Sequence, residues 1–304
     1  MNSLTEKIDY LKQLIIILII CLLNVLLFSI LGAVVAKLLF DININHQFSY
    51  DQLTNNELNA LKVIQLFSSI GLFILPPLIY AKLVSETPFT ELGINAKTNF
   101  KNIILTALIM LIVIPFLSFT IDVNSKLILP EWMSAIEEWM KQSEEQAILL
   151  TTSFLKMNHL FDFLFIFFLV AILPAVGEEL LFRGVLQKFF IKWTKKYHLG
   201  IWITAILFSA LHMQFYGFLP RLILGVMFGY LFFWSKSLWL PILAHLLNNG
   251  SVVIAAYINP DTINESEPFS SSENTLLSIS LIIISFITTV FLLLTLKKIQ
   301  KNTV

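Results

Sequence analysis

Three short stretches carry groups that could do chemistry. Gly177-Glu178-Glu179-Leu180-Leu181-Phe182-Arg183-Gly184 sets two carboxylates and a guanidinium in one apolar run. Phe208-Ser209-Ala210-Leu211-His212 adds an imidazole in a second run. His245-Leu246-Leu247-Asn248-Asn249 adds another imidazole and an amide in a third. On a helix, Glu179 and Arg183 are four apart and stack on one face, where they can pair. Glu178 lies about 100° round the helix from Glu179, so its charge needs a different partner. His245 and Asn249 are again four apart and share a face. A carboxylate with two imidazoles supports two chemistries. Glu178 and His212 can hold a water and take its proton. His245 and Asn249 would then donate hydrogen bonds to the oxyanion formed as that water attacks a carbonyl. Alternatively, Glu178, His212 and His245 can bind a divalent metal such as zinc, which acidifies its bound water. Spacing leaves both open. No H-E-x-x-H pair is present, Ser209 lacks a G-x-S-x-G turn, and the single cysteine, Cys21, lies in a remote apolar run. No nucleophile is therefore persuasive.

The elements that must position these groups are membrane helices. Of 304 residues, 57% are hydrophobic and only 13% are charged. A soluble domain carries about 25% charged residues to cover its surface. The composition excludes a soluble enzyme, a disordered chain and a disulfide scaffold. It predicts an all-α fold, a polytopic helical membrane protein embedded in the lipid bilayer. Twenty basic residues balance 20 acidic ones, so there is no footprint for nucleic acid. About eight transmembrane helices are expected, near residues 14–38, 63–83, 102–121, 160–190, 199–215, 219–234, 238–257 and 276–296. The first block is longer than a signal-peptide core and reads as a retained helix.

The connections alternate in charge, and lysine and arginine gather on the cytoplasmic side. One set holds Lys7 and Lys12, then Lys82, Lys97 and Lys101, then Lys188, Lys192, Lys195 and Lys196, then Lys236, and finally Lys297, Lys298 and Lys301. The other holds Asp41, Asp51 and Glu57, then Glu131, Glu137, Glu138, Glu144 and Glu145, then Asp261, Glu265, Glu267 and Glu273. Arg221, in the short fifth turn, sits awkwardly in this pattern. Both termini are expected in the cytoplasm, and the plasma (inner) membrane is the expected location. Residues 122–158 read as a helix on the outer surface, with Trp132, Ile136, Trp139 and Met140 on its apolar face and acids opposite. In this frame Glu178 lies roughly 15 Å from the inner interface, His245 roughly 10 Å, Asn249 roughly 16 Å and His212 roughly 20 Å. Four polar groups on three helices thus reach similar depth, and buried ionisable groups in a bilayer mark functional sites.

E-E-x-x-x-R, F-x-x-x-H and H-x-x-x-N, in this order on successive membrane helices, resemble the CAAX prenyl endopeptidase and bacteriocin-processing family, also called the Abi family. The likeness covers about residues 163–254, with Gly184, Pro241 and Asn248 adding to it. It implies an intramembrane endopeptidase acting on a membrane-associated or lipidated peptide or protein. It also implies that Glu178 and His212 activate water, that His245 and Asn249 form the oxyanion site, and that Glu179 and Arg183 support them. No cofactor is certain; the metal stays open. The chain then divides into residues 1–159, with three helices and the outer connector, 160–257, the catalytic core, and 258–304, an acidic loop, last helix and basic tail. Two other readings compete: a non-catalytic immunity or scaffold protein of the same fold, and a cation-coupled transporter. A transporter should show repeated halves, and no repeat is present. The topology has a direct check. Reporter fusions after Tyr257 and at Val304 should report opposite sides of the membrane; the same side for both overturns it.

Overall fold

The structure is a computed structural model that describes residues 10–42, 50, 52–263 and 275–301. Lys7, Asp51, Glu265, Glu267 and Glu273 lie outside the described residues. The helices are α1 (Tyr10–Phe40), α2 (Asn55–Val84), α3 (Pro88–Leu92), α4 (Phe100–Ile112), α5 (Ile114–Ser125), α6 (Ser134–Phe154), α7 (Leu160–Thr194), α8 (Tyr197–Leu211), α9 (Phe218–Ser235), α10 (Trp239–Ile258) and α11 (Thr275–Lys301). The protein is a polytopic helical membrane protein. Among the described residues, six helices are long and apolar enough to span a bilayer: α1, α2, α7, α9, α10 and α11, the α9 span being counted from Phe215. The pair α4–α5 makes a seventh if its 42° bend is crossed as one span. The bend falls at Pro115, which lacks an N–H and crowds the carbonyl four residues back.

The count of eight is not reached by length. Helix α8 has 15 residues, from Tyr197 to Leu211. At 1.5 Å per residue that is about 22 Å, short of a ~30 Å hydrocarbon core. The sequence placed this span at residues 199–215, but the helix stops at Leu211. Met213 takes a left-handed φ of 53°, and a 3₁₀ turn follows at Phe215–Gly217. The chain then re-enters the bundle as α9.

Helix α7 is the central element. Every residue from Leu180 to Gln187 is buried. Its apolar side chains Leu180, Leu181, Phe182, Val185 and Phe189 pack with Ala81, Phe208, Phe232 and Leu238 in the largest core cluster. Two π-helical turns, Phe167–Ile172 and Leu180–Gln187, flank the Glu178–Glu179 pair. Such wide turns re-aim the side chains that follow them. Pro174 sits just after the first of them. Close approach is built with glycine. A Cβ on Gly177 would stand 2.7 Å from Phe73 Cβ of α2, and one on Gly225 of α9 would stand 3.1 Å from Ala205 Cβ of α8.

The connector expected at the outer surface folds mainly as the helix α6, preceded by a 3₁₀ turn. Trp132, Ile136 and Trp139 are all exposed, and Trp139 also touches Phe215 with ring centroids 5.2 Å apart. Its acids are not all opposite: Glu144 Oε2 accepts from Tyr216 N at 3.4 Å. Gly177→Ala should lower the melting temperature in detergent, since overpacking typically costs ~1–3 kcal/mol. Gly250→Ala, whose Cβ would meet only the Phe167 ring at 3.1 Å, should be milder. Equal melting of both variants would show that α2 yields at Phe73.

Candidate active site

The residues singled out by type and spacing meet between α7, α8 and α10. Glu179 is fully buried, and Arg183, four residues on, is 1% exposed. Arg183 Nη1 donates to Glu179 Oε1 at 2.7 Å, and Nη2 donates to the Gly225 carbonyl of α9 at 3.1 Å. The guanidinium also lies over Phe208 and Phe228, 4.8 and 5.4 Å from their ring centroids. The same Glu179 oxygen bonds His245 Nδ1 of α10 at 2.9 Å. His245 stacks on Phe228 at 5.4 Å, so ring position and ring tilt are both fixed.

Glu178 faces the other way. Its Oε2 lies 3.9 Å from His212 Nε2 and 3.9 Å from His245 Nε2. That oxygen is buried and has no hydrogen-bond partner. His245 therefore bridges the adjacent glutamates, with Nδ1 on Glu179 and Nε2 towards Glu178. His212 is the residue at which α8 ends. Its Nδ1 bonds the Phe208 carbonyl at 2.7 Å. A carbonyl only accepts, so Nδ1 carries the proton and Nε2 of the neutral ring presents a lone pair towards Glu178.

Asn249, one turn beyond His245 on α10, has hydrogen-bond partners of its own. Its Nδ2 donates to the Val170 carbonyl in the first π turn at 3.2 Å, and its Oδ1 accepts from Asn248 at 3.0 Å. The second N–H of its amide is left for another acceptor.

The donor types of Glu178, His212 and His245 suit zinc, and both imidazoles have the outer partner on Nδ1 that metal-bound histidines have. Their spacing does not. Ligands about 2.1 Å from one tetrahedral ion stand ~3.4 Å apart, whereas the carboxylate oxygen is 3.9 Å from each ring nitrogen. Among the described residues no group of three His, Cys, Asp or Glu side chains is arranged to hold a metal ion.

Several residues that position the site did not stand out in the sequence. Asn124 of α5 is buried and spans the turn after His212. Its Nδ2 donates to the Phe215 carbonyl at 2.7 Å, and its Oδ1 accepts from Leu219 N at 2.7 Å. It thus satisfies an orphan N–H in the first turn of α9. Arg221, the cation outside the charge pattern, bonds the Gln214 carbonyl at 3.1 Å and the Gln214 side chain. It lies within electrostatic range of Glu144 and Glu178. Gln187 Nε2 donates to the Gly229 carbonyl at 2.9 Å, repeating one turn on the contact of Arg183 with Gly225. Gly225 and Gly229 form a G-x-x-x-G pattern, which marks close helix approach and was the available signal.

Residues 159–251, the stretch that holds all six site residues, match the sequence model of the type II CAAX prenyl endopeptidase Rce1-like family. This segment belongs to the CAAX prenyl endopeptidase family. The membrane-embedded CAAX protease MroQ of Staphylococcus aureus is 31% identical over 109 residues, covering 34% of this chain and 43% of that protein. The protein YpbD of Bacillus subtilis is 31% identical over 82 residues, covering 26% of this chain and 39% of that protein. The chain thus spans under half the length of these relatives. No solved structure matches it. In the CAAX-protease segment, Arg183 has a role that stability can read. Arg183→Ala leaves Glu179 buried with His245 alone, and breaking a buried ion pair typically costs ~3–5 kcal/mol. The variant should melt earlier in detergent and lose activity together. Unchanged melting with lost activity would place Arg183 in the reaction itself.

Proposed function

We propose that the protein is an intramembrane endopeptidase that hydrolyses a peptide bond in a membrane-associated or lipidated peptide or protein. The supporting observation is the Glu178 carboxylate, buried with an unpartnered Oε2 and facing two imidazole nitrogens at 3.9 Å. That gap is too long for a direct hydrogen bond and suits a bridging water. Membership of residues 159–251 in the CAAX prenyl endopeptidase family, and the resemblance to MroQ, support the reading.

In this mechanism the water sits between Glu178 and His212 Nε2. Its oxygen attacks the scissile carbonyl carbon as its proton passes to the Glu178–His212 pair. The carbonyl π electrons move onto oxygen. His245 is held through Nδ1 by the Glu179 carboxylate, which turns Nε2 towards the site. Its Nε2–H then donates to the oxyanion, and the free N–H of Asn249 is the second donor. As the oxyanion collapses, the C–N bond breaks and the leaving nitrogen takes the proton back. Glu179 and Arg183 position His245 without touching substrate. No step passes through a metal. Residues 160–257 form the catalytic core in this reading, with the lysine-rich ends of the helices and both termini in the cytoplasm.

The test replaces Glu178 in cells and compares membrane-derived peptides with those of the wild type. Glu178→Gln keeps shape and removes charge, so peptides produced by the wild type should disappear while the folded protein persists. His212→Ala should do the same. Asn249→Ala should be milder, a loss on the order of 10²–10³ in rate or less, because His245 remains. A chelator should leave cleavage unchanged; loss reversed by zinc would replace the base pair by a metal. Full turnover by Glu178→Gln would leave the cluster a structural network and the protein a non-catalytic one.

A further inference from the structure

A second polar cavity opens at the lysine-rich end of the bundle, away from Glu178. It has a volume of about 260 Å³ and lies between α1, α2, α3 and α7. Its polar lining is Tyr10, Gln13, Tyr80, Glu91, Lys188 and Lys192. Glu178 and Lys188 are ten residues apart on α7, so the cavity lies about 15 Å along the helix from the catalytic carboxylate.

The charges there are not balanced from within. Lys188 is half-buried, and its ammonium donates to the backbone carbonyl of Glu91. Lys192 is exposed at the rim. Among the described residues neither lysine has a carboxylate at ion-pair distance. Glu91 supplies one negative charge against two positive ones. An ammonium withdrawn from water with a neutral carbonyl as its hydrogen-bond acceptor is best completed by an anion. Lysine is a point charge with three donors, and it suits a phosphate.

The surroundings decide where that phosphate comes from. Helices α1 and α2, which wall the cavity, also carry apolar side chains outside its lining that face outwards: Leu11, Ile15 and Leu18 of α1 and Leu83 of α2 are 59%, 45%, 57% and 49% exposed. They belong to helices that span the bilayer, so hydrocarbon chains run along them while a headgroup reaches inwards. Basic pockets between membrane helices are suited to anionic headgroups. We propose that this cavity binds the phosphate of an anionic phospholipid, with Lys188 and Lys192 as its cationic ligands and the acyl chains along α1 and α2.

The test uses the full chain in bilayer nanodiscs of phosphatidylcholine with or without phosphatidylglycerol, with retained lipid counted by native mass spectrometry. Wild type should retain phosphatidylglycerol in preference to phosphatidylcholine. The double variant K188Q/K192Q should lose that preference by about tenfold or more, at roughly fivefold per lysine. K195Q/K196Q removes two basic residues that do not line the cavity and should keep it. Lys192→Gln alone, at the exposed rim, gives the partial loss in a variant whose folding is not in question. Melting in pure phosphatidylcholine checks that each variant is folded. Equal retention of the two lipids by wild type overturns the proposal. So does equal loss in both double variants, which would reduce the effect to surface charge. Inorganic phosphate raising the melting temperature in pure phosphatidylcholine, with no lipid preference, would make free phosphate the ligand and overturn the lipid assignment.

Discussion

One buried oxygen holds the site together. Glu179 Oε1 receives Arg183 Nη1 at 2.7 Å and His245 Nδ1 at 2.9 Å. Inside a bilayer protein an ion of either sign is expensive unless paired and hydrogen-bonded. The bundle meets that demand with groups from three helices. Helix α7 supplies the acid and the base. Helix α9 supplies the Gly225 carbonyl for the second arm of the guanidinium, and it can come near enough because Gly225 and Gly229 have no side chains. Helix α10 supplies His245. Arg183 suits this role better than lysine would, because its planar fork serves Glu179 and Gly225 at once while its face lies on Phe208.

The adjacent glutamates share a backbone and have opposite surroundings. Glu179 is neutralised by Arg183 and satisfied in part by His245. Glu178 keeps a buried, unpartnered oxygen aimed at two ring nitrogens. Glu179 Oε2 is likewise buried without a partner, so what sets Glu178 apart is the pair of ring nitrogens that its oxygen faces. The open oxygen is tolerable because the structural charge next to it is already paired. The ion pair thereby leaves the carboxylate one residue away as the cluster's only acid without a cation of its own helix beside it.

Much of this could be read from residue types and spacing. Apolar blocks of about 20 residues located the long spans, because lipid allows few other ways to satisfy a backbone. The i,i+4 spacing of Glu179 and Arg183 anticipated their ion pair, and five of the six polar residues, Glu178, Glu179, Arg183, His212 and His245, meet in one cluster. What failed to show has physical reasons. Helix α8 runs into the break at His212–Met213 without a proline or glycine at the break, because tertiary contacts to the turn beyond it, not local propensity, hold it there. Asn124 looked like an ordinary polar residue near a helix end; its two bonds to Phe215 and Leu219 depend on chain some 90 residues away. Asn249 shares a helix with His245, yet one N–H of its amide is held by Val170. That carbonyl lies in a π turn, which helical spacing at 3.6 residues per turn does not foresee.

The site also draws on chain outside the family-matched segment. Phe73 of α2 lies against Gly177, the residue before Glu178, and closes that side of α7. Asn124 of α5 ties down the turn that follows His212, so the imidazole's backbone is held by a helix that brings no polar side chain to Glu178. Glu144 and Trp139 of α6 reach the same turn at Tyr216 and Phe215. The first half of the chain thus touches each flank of the polar cluster without supplying any of its groups. Chemistry and access are thereby separable in this fold. The carboxylates, imidazoles and guanidinium are fixed by contacts among α7, α8, α9 and α10. The helices of the first half that flank Glu178 are free to differ without disturbing those contacts.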